Sequence, residues 1–126
     1  MPGVKLTYED LVRLPDDGMR HELIDGEHVV TPSPMPRHER IVRNLVLALE
    51  NYVRAHRLGW MFENQSVRID DFNAVQPDVI LLTTAQAVTL DIDAVIDVAP
   101  PLIIEVSSPS TRQYDQTLKR TVYQKL

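Results

Sequence analysis

A chain of 126 residues, 44% apolar and 25% charged, has the size and make-up of one globular domain with a modest core. It contains no run of 18 apolar residues that could span a membrane, and its opening stretch MPGVKLTYEDLVRL lacks the apolar centre of a signal peptide. The absence of cysteine excludes disulfides and thiolate metal sites and leads us to expect a cytoplasmic protein, while a net charge of −5 argues against a general nucleic-acid coat.

The elements follow in order. LTYEDLVRLPDD begins with Thr7 and has Asp10 three residues on, a loose capping box, so a short helix of about two turns is predicted, ended by Pro15. In RHELIDGEHVV the pair Asp25-Gly26 favours positive φ at both turn positions, which predicts a hairpin with arms at 20–24 and 27–31. TPSPMPRH carries prolines at alternate positions and reads as a stiff connector. A long helix is predicted over 37–57, with Ile41, Val42, Leu45, Leu49, Tyr52 and Val53 on one face. His38 lies one turn earlier on the same line, and Gly59 reads as the stop.

Next, WMFENQSVRI reads as one strand, DDFNA as a turn and VQPDVILL as a strand. TTAQAVTLDIDAVIDVA is a short helix or loop, and PPLIIEVSS a further strand. PSTRQYDQTLKRTVYQKL is expected to form a final helix capped by Ser110 or Thr111, with Leu118, Val122, Tyr123 and Leu126 inward. Strands and helices mixed around one sheet give an α/β or α+β class in a single domain, 1–126. The last helix reaches Leu126 with no cap and no return strand, so a C-terminally shortened domain is expected.

Two acids stand out. No Lys or Arg occurs between Arg68 and Arg112, and of the acids in that stretch only Asp78 and Glu105 sit within apolar runs. A carboxylate at such a position is costly unless something charged meets it. Either each has a private partner or both face one shared cation.

The ordered set HELIDGE, PRHERIVRNLVLALENYV, VQPDVILL and IIEVSSPSTRQYDQTLKRTVYQKL resembles the Uma family of restriction-type endonucleases, within the PD-(D/E)XK nuclease superfamily. The resemblance implies a restriction-endonuclease-like core lacking the family's final strands. It implies a Mg²⁺ (or Mn²⁺) ion held by Asp78, Glu105, the Val106 carbonyl and Glu22, with DNA as substrate. Hydrolysis of a phosphodiester needs an activated water and a counter-charge for the phosphorane, and a hard divalent cation with oxygen ligands supplies both. The superfamily's lysine two residues after the second acid is replaced by Ser107, so Lys119, on the following helix, is the expected catalytic cation. Because the shortened chain would leave a sheet edge open, either a homodimer or a marginally stable monomer is expected.

Each residue also has a plainer role. Asp78 could be a strand-start turn acid, Glu105 half of an ion pair, Glu22 and Lys119 solvated, and His38 a capping or core histidine. Three functions stay open: a metal-dependent DNA endonuclease, a degenerate relative that binds nucleic acid or a partner without cutting, and a purely structural module.

Overall fold

The computed structural model describes residues 4–107 and 120–124. The first helix, α1 (Tyr8–Val12), is set by reciprocal capping bonds. The Asp10 amide donates to Thr7 Oγ1 at 3.3 Å, and the Thr7 amide donates to Asp10 Oδ2 at 2.9 Å. These bonds satisfy donors that a helix start leaves open, and the Thr7 amide holds the Asp10 carboxyl below its ordinary range.

The hairpin is β1 (Arg20–Ile24) and β2 (Glu27–Thr31), paired from Arg20↔Thr31 to Ile24↔Glu27. Asp25 and Gly26 have φ of 49° and 80°, the two positive values that a tight hairpin of this twist requires. On the outer side, His21 Nε2 lies 2.7 Å from Asp17 Oδ1 and His21 Nδ1 lies 2.9 Å from His28 Nε2. These bonds tie the loop before β1 to the hairpin. The His21 bond holds the Asp17 carboxyl low, and burial lowers the His28 imidazole.

Helix α2 (Pro36–Ala55) starts on Pro36, whose missing N–H costs nothing at a first helical position. Val42 and Val53 are buried, but Ile41 and Tyr52 remain exposed, so the inward stripe is narrower than the periodicity predicts. Gly59 does not stop this helix. The chain turns at Arg57, with φ of 53°, and Gly59 opens β3 (Gly59–Glu63).

The predicted single strand over WMFENQSVRI divides at Asn64, whose φ is 54°. Its second half is β4 (Val67–Asp70), in a different sheet from β3. There follow β5 (Asn73–Val75), β6 (Val79–Thr83), α3 (Thr84–Val88), β7 (Leu102–Ile104) and α4 (Arg120–Tyr123). The mixed α+β class holds, but the expected one sheet is two. One has the order β2-β1-β5-β4 and the other β3-β6-β7, with antiparallel pairing throughout both. Lys119 and the predicted cap at Ser110 or Thr111 lie outside the described residues, as do Leu118 and Leu126.

One core serves both sheets. Ile24, Val67 and Val75 from the first meet Ile80 and Leu82 from the second, with Ile96 and with Val122 of α4. The Gln76–Pro77–Asp78 link carries the chain from β5 to β6, and therefore from one sheet to the other. No helix among the described residues is long and apolar enough to cross a membrane.

Gly59 has a packing reason to be glycine. A Cβ there would lie 1.8 Å from the Leu82 carbonyl oxygen, at a φ of 149°. Gly59→Ala should therefore cost at least about 2 kcal/mol, because backbone of the paired strand must move. Urea unfolding with a midpoint equal to wild type would show that β3 and β6 do not approach this closely.

Candidate active site

Asp78 stands at the entry to β6 with 1% of its surface exposed. A carboxylate that deep must be met by donors. Arg20 Nη2, 58 residues away in sequence, donates to Oδ1 at 2.8 Å. The Val106 amide donates to Oδ2 at 2.7 Å, and His38 Nε2 lies 3.2 Å from the same oxygen. One side chain thus gathers β1, the first turn of α2, the link between the sheets and the end of β7.

His38 Nε2 also lies 2.9 Å from the Val106 carbonyl oxygen. Both neighbours of Nε2 are acceptors, so this nitrogen carries the proton. Its other nitrogen, Nδ1, is buried without a hydrogen-bond partner among the described residues, and Glu39 Oε1 is 3.8 Å away. The sequence leaves His38 open as a capping residue, a core residue or a member of the site; the structure puts it against Asp78.

Glu22 and Arg20 are two apart on β1 and so share a face. Glu22 is 1% exposed, and its Oε2 accepts from the Gln76 amide at 2.7 Å. Glu105 follows β7 and is half-buried, accepting from the Tyr123 hydroxyl. β6 and β7 pair through Val79↔Ile104, and Asp78 and Glu105 are the residues that flank this last pair.

The two apolar-run acids therefore sit at the same end of one strand pair, with the Val106 backbone between Asp78 and His38. Glu22 is turned to the same inter-sheet link, but on Gln76. Among the described residues no three His, Cys, Asp or Glu side chains are grouped so as to hold a metal ion. The donor chemistry still fits a hard cation, because Mg²⁺ uses one or two carboxylates and keeps several waters. Asp78, Glu105 and the Val106 carbonyl supply that kind of oxygen set.

Three participants escaped the sequence reading. Arg20 holds Asp78 and also donates to Asn64 Oδ1. Gln76 holds Glu22 through its backbone and Asn64 through its side chain, Nε2 donating to the Asn64 carbonyl at 3.1 Å. The one available signal was the two-residue alternation of Arg20 with Glu22. Arg54, on the arginine-rich face of α2, pairs with Glu50 at 2.9 Å in an exposed bond.

Removing the guanidinium isolates a buried charge. Arg20→Met should destabilise the fold by about 3–5 kcal/mol, and adding Asp78→Asn to that variant should recover a large part of the loss. Chemical denaturation of the two single variants and the double variant measures this coupling; simple additivity would show that the pair does not interact.

Comparison with known proteins places this geometry. A search of curated proteins finds no match. Among solved structures, the chain is similar to a putative nuclease belonging to DUF820 from Anabaena variabilis ATCC 29413. The two superpose with a TM-score of 0.76 at 21% identity, over 96% of this chain and 68% of that one. At that identity the likeness establishes a shared fold. The model of the Uma2 family, described as "Putative restriction endonuclease", matches residues 8–126. The chain belongs to the Uma2 family.

Proposed function

We propose that the protein is a metal-dependent endonuclease that hydrolyses phosphodiester bonds in DNA. The observation that carries this reading is Asp78 buried at the mouth of β6, hydrogen-bonded to the Val106 amide that follows Glu105. Bound Mg²⁺ (or Mn²⁺), held by Asp78, Glu105 and the Val106 carbonyl, would supply an activated water and a counter-charge at the phosphate.

The chain's own residues have separable tasks in this proposal. Asp78 is preset by Arg20 and the Val106 amide, so it loses little freedom when a ligand arrives. The Arg20 guanidinium, bonded through Nη2 to both Asp78 and Asn64, balances the charge of that carboxylate and keeps it in place. His38 carries its proton on Nε2 and shares it between Asp78 Oδ2 and the Val106 carbonyl, so its task is to position this carboxylate and this backbone. Lys119 takes the place of the lysine missing at Ser107 and stabilises charge in the transition state. We place the enzyme in the cytoplasm, and as a homodimer it would present one such site to each strand of a duplex.

A second reading is favoured by one observation. Both oxygens of Asp78 are already met by protein groups, as a binding protein that no longer cuts would have them.

Nicking of supercoiled plasmid separates the two. Purified protein should cut in Mg²⁺ or Mn²⁺ and stop on addition of EDTA. Asp78→Asn and Glu105→Gln should each lower the rate by about 10²–10³ or more while keeping a native circular-dichroism spectrum. An Asp78→Asn protein that cuts at the wild-type rate removes the residue from the chemistry.

Lys119→Ala should lower cleavage by about 10² while leaving divalent-ion affinity, measured by calorimetry, unchanged. Loss of metal affinity together with activity would instead make Lys119 part of the ligand shell's support.

A further inference from the structure

Beside the acids lies a cavity of about 330 Å³ whose chemistry differs from theirs. Arg20, Asn64 and Gln76 form its inner side, Asp16 and Met19 come from the loop before β1, and Pro34 from the proline-rich connector. The two outer walls are tied together, because the Ser33 hydroxyl donates to the Gly18 carbonyl. The His21–Asp17 bond anchors the same loop. The cavity is therefore built from braced backbone.

The lining does not suit a phosphate. The Arg20 guanidinium is already committed to Asp78 and Asn64 through Nη2, and the Asp16 carboxylate would repel an anion. What it does offer is a donor and an acceptor of fixed identity. Arginine can only donate, so the Asn64 amide must turn its oxygen to Arg20, which leaves Nδ2 to donate elsewhere. A carbonyl can only accept, so Gln76 must turn its nitrogen to the Asn64 backbone, which leaves Oε1 to accept. Neither assignment depends on an arbitrary amide orientation. Met19 and Pro34 add apolar surface for the face of a ring.

Size narrows the ligand further. Small-molecule pockets run from roughly 300 to 1,000 Å³, so this one takes a single planar heterocycle rather than a segment of duplex. A paired donor and acceptor beside an apolar wall is the complement of the acceptor-and-donor edge that every unpaired nucleobase carries.

We propose that the cavity takes one unstacked nucleobase of the strand bound at the acids, with Asn64 Nδ2 donating to an acceptor and Gln76 Oε1 accepting from a donor of its hydrogen-bonding edge. The proposal rests on the nucleic-acid reading of the site and adds a seat for the base of the nucleotide beside the scissile phosphate. Unpairing costs a few kcal/mol in a duplex and nothing in a single strand, so single-stranded or frayed DNA should be favoured.

Binding in EDTA tests the inference apart from catalysis. Fluorescence anisotropy would compare a thymine oligonucleotide with a strand of abasic residues of the same length. The thymine strand should bind about 5- to 10-fold more tightly than the abasic strand. Gln76→Met should bring this ratio to one. Met19→Trp, on the exposed rim, should do the same by filling the mouth, and thermal melting shows that each variant is folded. Equal affinity for both strands overturns the inference while plasmid nicking still decides the nuclease reading. Tighter binding of the thymine strand without nicking in either metal upholds the cavity and sinks catalysis. No binding to either strand overturns the inference as well.

Discussion

The structure turns on one buried carboxylate. Asp78 has to be met by donors wherever it goes, and the donors it finds come from three places in the chain: Arg20, His38 and the Val106 amide. Together these bonds fix how the hairpin, the long helix and the ends of β6 and β7 sit relative to one another. Removing one partner leaves the others facing an uncompensated charge, which is why such a network is more consequential than the sum of its pairs.

Its position explains why chemistry collects there. Gln76, Pro77 and Asp78 are the residues by which the chain leaves one sheet and enters the other. At a crossing of this kind, backbone groups are not used up by ladder pairing. They are spent on side chains instead: the Gln76 amide on Glu22 and the Val106 amide on Asp78. The shared apolar core, with Ile80 and Leu82 packed beside Ile24 and Val75, makes the seam rigid while its rim stays open to the cavity beside Arg20.

What the sequence revealed and what it hid follow the range of the interactions concerned. The hairpin was legible to the residue because Asp25-Gly26 is a local signal, and the capping box at Thr7 and Asp10 is equally local. The acids at 78 and 105 were legible because apolar neighbours make a charge conspicuous. The partner of Asp78 was not, since Arg20 lies 58 residues upstream and looks like any strand arginine. The break at Asn64 was hidden because no glycine or proline marks it; asparagine adopts the left-handed region by its own tolerance. Gly59 was noticed but misread, because its reason lies in the backbone of Leu82 across the sheet.

The Asp25–Gly26 turn has a role beyond reversing the chain. It stands three residues, roughly 10 Å, from Glu22. It is held by the Gly26 amide on the Phe72 carbonyl at 2.9 Å and the Asp25 amide on Asn73 Oδ1 at 2.9 Å. Side chains alternate along β1, so a slip of one position would carry Arg20 and Glu22 to the opposite face of the strand and deliver His21 and Leu23 to the face that meets Asp78. The turn therefore acts as a ruler: by locking the count of residues before it, a glycine that touches no acid decides which side chains the acids meet.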